Sequence, residues 1–505
     1  MQTTLNATRR AAGIFLRIAL LSGLLAAFSL PALAQTPYVD AKGQPQSSPV
    51  IATPLIGNET TLNTGWYLCN GPLSYTGTII ISGDVNLILG DGCDMNVTGS
   101  HGSVGLNESA GIHAVEEHRL TIWAQSTTDA GMGSLTVTSA RAAGIGGGGT
   151  TSGSGTITIN GGRVNASGVF GAGIGSGVGG AGGTITINGG RVNASGRNGG
   201  AGIGGGSGFW GGTVIINGGT VNATGGSGAG IGGGFGSAGG VIDINGGRIT
   251  ATGGSGAGIG GGFYGAGGTI TINGGRVNAT GGGITTATDT GGGAGIGGGE
   301  HGDGGTIEIT NKVDVIAKSI GYGAGIGSGR NGAGGSIRIT GRANVTAKGD
   351  SGGAGIGGGL DGDAGRIIIA TSGRVQAKGG TATLENNIGI GANIGLGGDK
   401  SSRAGAGISP ISKPADTAVT AGGNATFRVK VARTAHWIAY QWQQSSNGGK
   451  NWSSIKNTNR ATLNLSGVTA SMNGNLYRCV VRVWGIGKES SITYTTAPAR
   501  LTVRQ

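Results

Sequence analysis

Aromatic residues, charged residues and proline are all scarce in this chain of 505 residues. Aromatic side chains make up 4% of the residues and charged side chains 11%, whereas 121 residues are glycine and only 9 are proline. So few large apolar side chains exclude a conventional globular core for most of the chain. The low proline count excludes collagen, which needs abundant proline and a glycine at every third position.

Disorder is excluded by the β-branched residues. A disordered chain contains few of them, but Ile, Val and Thr recur here in short alternating runs such as Thr156–Ile159. Strict alternation is typical of a strand with one buried face. A repeat fold built from strands therefore remains.

Long hydrophobic runs are confined to the N-terminus. Arg9 and Arg10 precede an apolar stretch at residues 14–30, which ends in the small-residue sequence Ala-Leu-Ala at 32–34. This arrangement is typical of a secretory signal peptide, residues 1–34, cut after Ala34. An uncleaved membrane anchor is the alternative. The signal peptide predicts a secreted or cell-surface protein, and no later segment is apolar enough to span a membrane.

Only three cysteines are present, and export permits a disulfide. Cys69 and Cys93 are 24 residues apart and flank a strand-like run, so we predict that they are joined and clamp the first turn of the repeat. Cys479 is then left over. The formal net charge of +12 favours anionic partners, although part of the excess lies in the predicted signal peptide.

The most informative feature is the string Ala-Gly-Ile-Gly, which recurs eight times. Its isoleucines are Ile145, Ile174, Ile203, Ile231, Ile259, Ile296, Ile326 and Ile356. The steps between them are 29, 29, 28, 28, 37, 30 and 30 residues, and the long step contains an insertion around residues 285–290. A period in the high twenties indicates stacked supersecondary units.

Each period contains a second element in a fixed phase to the first. In the run Thr184–Ile187 two isoleucines alternate with two threonines, and Asn-Gly-Gly at 188–190 then supplies residues that accept positive φ. A second strand follows with Val192 facing inward, and Ala-Gly-Ile-Gly forms the third side. We therefore predict an all-β chain with a linker at 35–60 and a right-handed parallel β-helix at 61–405 that includes an N-terminal cap.

Several segments resemble the extracellular β-helix family typified by a clostridial carbohydrate-binding protein. They are residues 78–81 (Thr-Ile-Ile-Ile), 91–93 (Asp-Gly-Cys), 110–113 (Ala-Gly-Ile-His), 120–123 (Leu-Thr-Ile-Trp) and the repeats that follow. The resemblance covers roughly residues 61–400. It implies binding of plant or cell-wall polysaccharide with calcium in the rod, but it assigns calcium to no particular residue here.

The composition changes after Gly405, where glycine becomes less frequent. Trp442 stands where the strand C tryptophan of an immunoglobulin domain stands, and Tyr477 precedes Cys479 by two residues, which is the spacing of a tyrosine corner. Phe427 replaces the expected strand B cysteine. Residues 410–505 thus resemble an immunoglobulin-like β-sandwich of bacterial surface proteins, and such modules act as spacers or adhesive units.

Stacking turns each repeat position into a column that runs along the rod. The position before each inward-facing residue of the second strand is mostly basic. It holds Arg163, Arg191, Thr220, Arg248, Arg276, Lys312, Arg342 and Arg374. Such a row could match the carboxylates of a uronic acid polymer or the phosphates of an envelope glycan, with arginine making bidentate contacts. The alternative is a solvated face that keeps the rod soluble.

An amide column and a loop cluster accompany this row. The amides are Asn165, Asn193, Asn222, Asn278, Asn344 and Gln376, with Thr250 and Asp314 interrupting them. Such ladders commonly stabilise stacked coils. The loops after Ala-Gly-Ile-Gly carry Phe209, Trp210, Phe235, Phe263 and Tyr264. These rings form either a platform for sugar stacking or a cover over small-residue corners.

Catalytic and ice-binding functions have weaker support. The Thr-x-Thr pairs are interrupted in their columns by Ile215, Asp243, Glu308, Arg338 and Ile368. The acidic candidates on neighbouring repeats are Glu300, Asp303, Asp361 and Asp363, with His301 beside them. They lie in glycine-rich turns, where Asp is common for conformational reasons. Since no nucleophile or metal motif is present, we expect neither catalysis nor a cofactor, with calcium left open by the resemblance.

These observations predict a non-catalytic secreted or cell-surface protein that binds carbohydrate, most specifically acidic polysaccharide, along one face of the rod. The alternative is a structural or adhesive protein in which the rod is a spacer and the C-terminal domain, with Trp437 and Trp484, contacts a protein or host receptor. A polysaccharide-degrading enzyme is a third hypothesis. We expect no nucleic-acid partner.

Overall fold

The computed structural model describes residues 36–46, 50–99, 110–128, 131–149, 153–282, 291–384, 387–390, 392–395, 407–408, 411–431, 437–484 and 491–505. The predicted signal peptide lies outside these residues. Their regular structure consists of β-strands and one 3₁₀ turn, Ala470–Met472. Within the same ranges, no helix has the length and apolarity needed to cross a membrane.

Each repeat is one coil with three short strands. In the coil that starts at Thr184 these are Thr184–Ile187, Arg191–Gly196 and Ile203–Gly204. Each strand pairs in parallel with the same strand of the coils before and after it, so Ile185 is opposite Ile157 and Val214. The coils therefore stack into three parallel sheets, which we number 1 to 3 in the order in which a coil visits them.

Sheet 1 contains Thr53–Pro54, Thr61–Cys69, Ile79–Leu89, Arg119–Ala124, Thr156–Ile159, Thr184–Ile187, Thr213–Ile216, Val241–Ile244, Thr269–Ile272, Thr306–Ile309, Ser336–Gly341 and Arg366–Thr371. Sheet 2 contains Pro72–Thr76, Asp94–Thr98, Ser134–Ser139, Arg163–Gly168, Arg191–Gly196, Thr220–Thr224, Arg248–Thr252, Arg276–Gly281, Asp314–Ser319, Asn344–Lys348 and Val375–Lys378. Sheet 3 contains Ile112–His113, Ile145–Gly146, Ile174–Gly175, Ile203–Gly204, Ile231–Gly232, Ile259–Gly260, Ile296–Gly297, Ile326–Gly327, Ile356–Gly357 and Ile394–Gly395.

The core is a column of aliphatic side chains that point inward from the three sheets. Ile185, Ile187, Val192 and Ile203 are fully buried, and Ala194 is nearly so. The same positions of the neighbouring coils stack above and below them. No coil buries enough apolar surface to be stable alone, so the stack supplies the hydrophobic stabilisation that each coil needs.

Glycine is required where the coils approach each other most closely. Gly232, the second glycine of its Ala-Gly-Ile-Gly string, has φ of 133°, and a Cβ placed on it would overlap the carbonyl oxygen of Gly260 in the next coil. Only glycine adopts this backbone conformation without strain. The repeated string is therefore fixed by backbone packing as well as by the buried isoleucine.

The N-terminal end of the rod is closed by larger side chains and a cross-link. A disulfide joins Cys69 to Cys93 across a sequence separation of 24 residues. Nearby, the rings of Tyr38, Trp66 and Trp123 form a cluster with centroid separations of 4.9 to 5.8 Å. This cluster ties residues 36–46 to the first strands of sheet 1.

Eight strands are described in the C-terminal region. They are Thr417–Thr420, Ala425–Arg428, Trp437–Ser445, Ser453–Ser454, Thr462–Leu465, Leu476–Trp484, Ser491–Thr495 and Ala499–Arg504. The described strands of this region pair with one another antiparallel, except that Thr417–Thr420 runs parallel to Ala499–Arg504. The buried centre holds Trp442, Phe427 and Tyr477, with 4.8 Å between the rings of the last two.

One strand joins this region to the rod. Ser491–Thr495 pairs antiparallel with Leu476–Trp484 and in parallel with Arg366–Thr371, the last coil strand of sheet 1. Sheet 3 ends differently, because Gly407–Ile408 runs antiparallel to Ile394–Gly395. The C-terminal region therefore covers the edge of sheet 1 at this end of the rod. The right-handed winding remains a prediction.

Candidate functional site

The outward side chains of sheet 2 form three columns, set by the backbone register. We call the first the arginine column, and Arg163, Arg191, Thr220, Arg248 and Arg276 are its directly aligned members. The side chains of the last two are exposed. Adjacent coils are about 4.8 Å apart, so the column is a closely spaced row of guanidinium groups.

Two predicted members do not belong to this column. Asp314 and Asn344 occupy the aligned positions where Lys312 and Arg342 were expected. In the coils of these two residues the turn from sheet 1 to sheet 2 is one residue longer than the Asn-Gly-Gly turn at 188–190, so Lys312 and Arg342 lie in the turn instead. The carboxylate of Asp314 lies 3.9 Å from Arg276 and ends the run of basic residues that Thr220 alone interrupts.

Arg374 extends the first column beyond this interruption. It directly precedes Val375, which pairs with Val345, and its backbone N–H donates to the Asn344 side-chain oxygen at 3.0 Å. The side chain of Arg374 is exposed. Arg374 is therefore separated from Arg276 by two coils that lack a cation at this position.

The second column is an amide ladder over part of its length. The Asn193 side chain donates to Asn165 at 2.8 Å and Asn222 donates to Asn193 at 2.8 Å. The register places Ile316 and Thr346 where Asp314 and Asn344 were expected, for the same reason of turn length. The ladder is structural, but the outer edge of its amides remains accessible beside the arginine column.

The third column carries hydroxyl groups in the N-terminal coils and lysine in the C-terminal ones. Ser167 is aligned with Ser195 and Thr224, whereas Lys318 is aligned with Lys348. A shallow groove of about 360 Å³ lies over the second and third columns, between coils 136–138 and 222–224. The N-terminal half of sheet 2 therefore presents guanidinium, amide and hydroxyl groups side by side.

A second asparagine ladder was not recognised from the sequence. It runs along the turn between sheets 1 and 2 through Asn160, Asn188, Asn217, Asn245 and Asn273, with side-chain hydrogen bonds of 2.7 to 3.1 Å. The recurring Asn-Gly-Gly string was its signal, but we assigned the asparagine only a role in the turn. This ladder fixes the corner at which the arginine column begins.

The loop aromatics form two kinds of surface. Phe235 and Phe263 stack on each other at 5.5 Å with an interplanar angle of 13°, so their faces are partly covered. Tyr264 stacks on His301 at 5.2 Å. Trp210 is 54% exposed and has no stacked ring partner within the described ranges. Trp210 therefore offers the best face for a sugar ring, whereas the phenylalanines mainly stabilise the stack.

These aromatics do not share a face with the arginine column, contrary to the sequence prediction. The loops that carry Trp210, Phe235, Phe263 and Tyr264 follow sheet 3, and the Phe235 N–H donates to Gly199 in the loop that follows sheet 2. The arginine column begins sheet 2 at the opposite corner of the coil. The aromatic loops therefore contact the chain where it leaves sheet 2, whereas the arginine column stands where the chain enters it.

The acidic candidates are held in structural contacts. Glu300 is 2% exposed, and one carboxylate oxygen lies 3.8 Å from Arg330 and 3.7 Å from His301. Asp303 accepts a hydrogen bond of 2.8 Å from the backbone N–H of Ala333. Asp361 has a positive φ of 59°, as do the residues at the equivalent position of other coils, which are glycine in some and Tyr264, His301 and Asn331 in others. These roles account for the acids without assigning them to catalysis.

A smaller pocket near the N-terminal end is also accounted for by local packing. It has a volume of about 200 Å³ and is lined by residues 57–60 and 74–78. The hydroxyl of Tyr75 donates to Glu59 at 2.6 Å. Burial, together with this contact, raises the pKa of Tyr75, whereas hydrogen bonds from Tyr75 and two backbone N–H groups lower the pKa of Glu59 against the opposing effect of burial. The Glu59 carboxylate is therefore already hydrogen-bonded to groups of the same chain.

The remaining candidates are the threonine pairs of sheet 1, the two tryptophans of the C-terminal region and a metal site. Along sheet 1, Thr186 is aligned with Ile215, and Glu308 is aligned with Arg338 at an ion-pair distance of 3.4 Å, so the threonine array is broken. The side chains of Trp437 and Trp484 lie outside the described residues. No group of three or more His, Cys, Asp or Glu residues in the described part of the chain is placed to hold a metal ion.

Comparison with known proteins supports the class of fold. Residues 157–178, 185–207, 211–235, 242–263 and 337–360 match a family model described as beta helix repeat. These segments coincide with the stacked coils of sheets 1 to 3. No curated protein shows a significant match to the chain. The chain is a parallel β-helix repeat protein.

Proposed function

We propose that this protein is a non-catalytic, secreted or cell-surface carbohydrate-binding protein, and that the N-terminal half of sheet 2 binds an acidic polysaccharide. The observation that carries the proposal is the arginine column, which runs in register beside the amide and hydroxyl columns. A polymer lying along the rod would meet all three groups in the coils of Arg163, Arg191 and Arg276, with Thr220 replacing the arginine and Thr250 replacing the asparagine in the two coils between. The groove over the second and third columns gives it a place to lie.

The electrostatics of the arginine column favour an anionic ligand. Like charges directly opposite each other in a sheet are destabilising, and two unit charges about 4 Å apart interact by about 1 kcal/mol in water. Carboxylates bound between the guanidinium groups would reverse the sign of this interaction. Arginine also binds carboxylates with two parallel hydrogen bonds, which adds orientation to charge.

The neighbouring columns favour a sugar over a simple polyanion. The hydroxyls of Ser167, Ser195 and Thr224 and the ladder amides provide donors and acceptors at each coil. Sugar hydroxyls can pair with both kinds of group, because hydroxyl and amide groups each donate and accept. We therefore expect a uronic acid polymer to bind more tightly than a non-sugar polycarboxylate of equal charge density.

The test is binding of the full chain to polygalacturonate and to a neutral glycan at low and high salt. A variant with Arg163, Arg191, Arg248 and Arg276 changed to Ser should lose at least tenfold in affinity for polygalacturonate. The matched control changes four exposed arginines of the C-terminal region to Ser, namely Arg428, Arg460, Arg482 and Arg504. The control and the test variant therefore have the same net charge. Equal losses in both variants would contradict a specific site.

A structural or adhesive role is the second candidate. It is supported by the strand Ser491–Thr495, which joins the rod and the C-terminal region through continuous backbone pairing. We also propose that this region is an immunoglobulin-like sandwich with Phe427, Trp442 and Cys479 at its centre. Adhesion to a protein receptor that survives the four arginine changes in sheet 2 would support this role over glycan binding.

A further inference from the structure

The C-terminal coils of sheet 2 carry a second basic row, on the other edge of the sheet from the arginine column. Lys318, Lys348 and Lys378 are directly aligned on three successive strands in the third column. We call them the lysine row. The side chain of Lys318 is partly exposed and the other two are exposed. None of the three lies within 4.0 Å of a carboxylate among the described residues.

The lysine row begins where the arginine column is interrupted. Arg276 is aligned with Asp314 in the first column, whereas Thr280 of the same strand is aligned with Lys318 in the third column. The two columns are four residues apart along a strand, or roughly 13 Å at about 3.3 Å per residue. At this coil positive charge therefore appears on the second edge of sheet 2, while the aligned first-column position becomes acidic.

Further basic side chains increase the charge at this end of sheet 2. Lys312 and Arg342, which lie in the turn before the sheet, are exposed, and so is Arg374. Asp314 is the only acidic side chain on the described strands Asp314–Ser319, Asn344–Lys348 and Val375–Lys378, and it is close to Arg276. Like-charged groups directly opposite each other destabilise a sheet, so three aligned lysines are an unfavourable arrangement unless they meet an anion.

We propose that the lysine row is a second anion-binding site, selective for a polymer with closely spaced phosphate groups. Lysine binds phosphate as a compact point charge, without the planar two-bond geometry by which arginine orients a carboxylate or a phosphate. The row spans about 10 Å over two coil steps, which matches a short run of consecutive phosphates better than an isolated one. In the third column lysine replaces the hydroxyl side chains that accompany the arginine column, so charge rather than hydroxyl pairing dominates this edge of the sheet.

The experiment measures binding of the full chain to inorganic polyphosphate across a range of salt concentrations. The test variant is Lys318→Gln, Lys348→Gln and Lys378→Gln together. We expect an affinity loss of at least tenfold and a log–log salt slope that is smaller by about two, since each contact to a flexible phosphate chain contributes about 0.7 to the slope. Thermal unfolding should show no loss of stability, because a repulsive row has been removed.

The matched control changes three exposed lysines of the C-terminal region, Lys413, Lys430 and Lys450, to Gln. A loss of less than twofold in this control supports the site, whereas equal losses in both variants would overturn it. The variant with the four sheet 2 arginines changed to Ser separates the two proposals. In this variant the three lysine changes should still lower polyphosphate affinity at least tenfold, so the lysine row is tested independently of polygalacturonate binding.

Discussion

The close packing of successive coils makes a sharp prediction for Gly232→Ala. The new Cβ would overlap the carbonyl oxygen of Gly260, which accepts the backbone hydrogen bond of Gly233 at 2.9 Å. A non-glycine residue at a φ of 133° costs about 1–3 kcal/mol. Displacing the carbonyl weakens a ladder hydrogen bond worth about 1 kcal/mol. We therefore expect a loss of about 3 kcal/mol in the free energy of unfolding.

The control is Gly236→Ala, in the loop that follows the same Ala-Gly-Ile-Gly string. Gly236 has a positive φ of 76°, but a Cβ on it would meet nothing within 4 Å. This change should cost only the left-handed strain of about 1–2 kcal/mol, reduced by the smaller entropy of the unfolded chain. Urea unfolding followed by far-UV circular dichroism compares the two variants. Equal unfolding midpoints would refute the argument that coil contact requires glycine at 232.

Three further predictions concern side chains. Changing Cys69 and Cys93 to Ser should destabilise the N-terminal coils by about 3 kcal/mol, as expected for a closed loop of 24 residues, and adding reductant to the unaltered protein should lower its thermal midpoint equally. Asn217→Ala removes two ladder hydrogen bonds and should lower the free energy of unfolding, measured in urea, by about 2 kcal/mol. Asn273→Ala removes one and should lower it by about half as much. The reverse order would contradict the ladder. Burial raises the pKa of Cys479 to about 12, so the native protein should resist iodoacetamide at pH 8 and expose one reactive thiol only after unfolding.

The repeat architecture could be predicted because its signal is local and recurs at each coil. The period of Ile174 and Ile203 sets the stack, and the alternation in Thr184–Ile187 sets which side chains face inward. Family comparison confirms the β-helix repeat over five segments. The pairing of Ser491–Thr495 with the rod had no such signal, because it joins segments that are distant in sequence and share no pattern.

The candidate site was predicted only as far as the turn lengths were regular. The column through Arg163 and Arg276 follows from a constant three-residue turn, and one additional residue in later turns moved Lys312 and Arg342 out of it. The lysine row was missed for the same reason, since its alignment depends on the corrected register. Placement of Trp210 relative to the arginine column depended on which corner each loop occupies, and the repeat period does not contain that information.

The strand Ser491–Thr495 also bears on how the chain can assemble. A parallel sheet with an open edge is a template for any other strand, including one from a second molecule. Arg366–Thr371, the last coil strand of sheet 1, pairs with Ser491–Thr495, and most of the C-terminal region lies between these two strands in the sequence. The edge of sheet 1 therefore stays open until Ser491–Thr495 has folded against it. During folding, growth of the rod and protection of its end from pairing with a second molecule are therefore separate events, and chains that lose this strand would be expected to join into filaments.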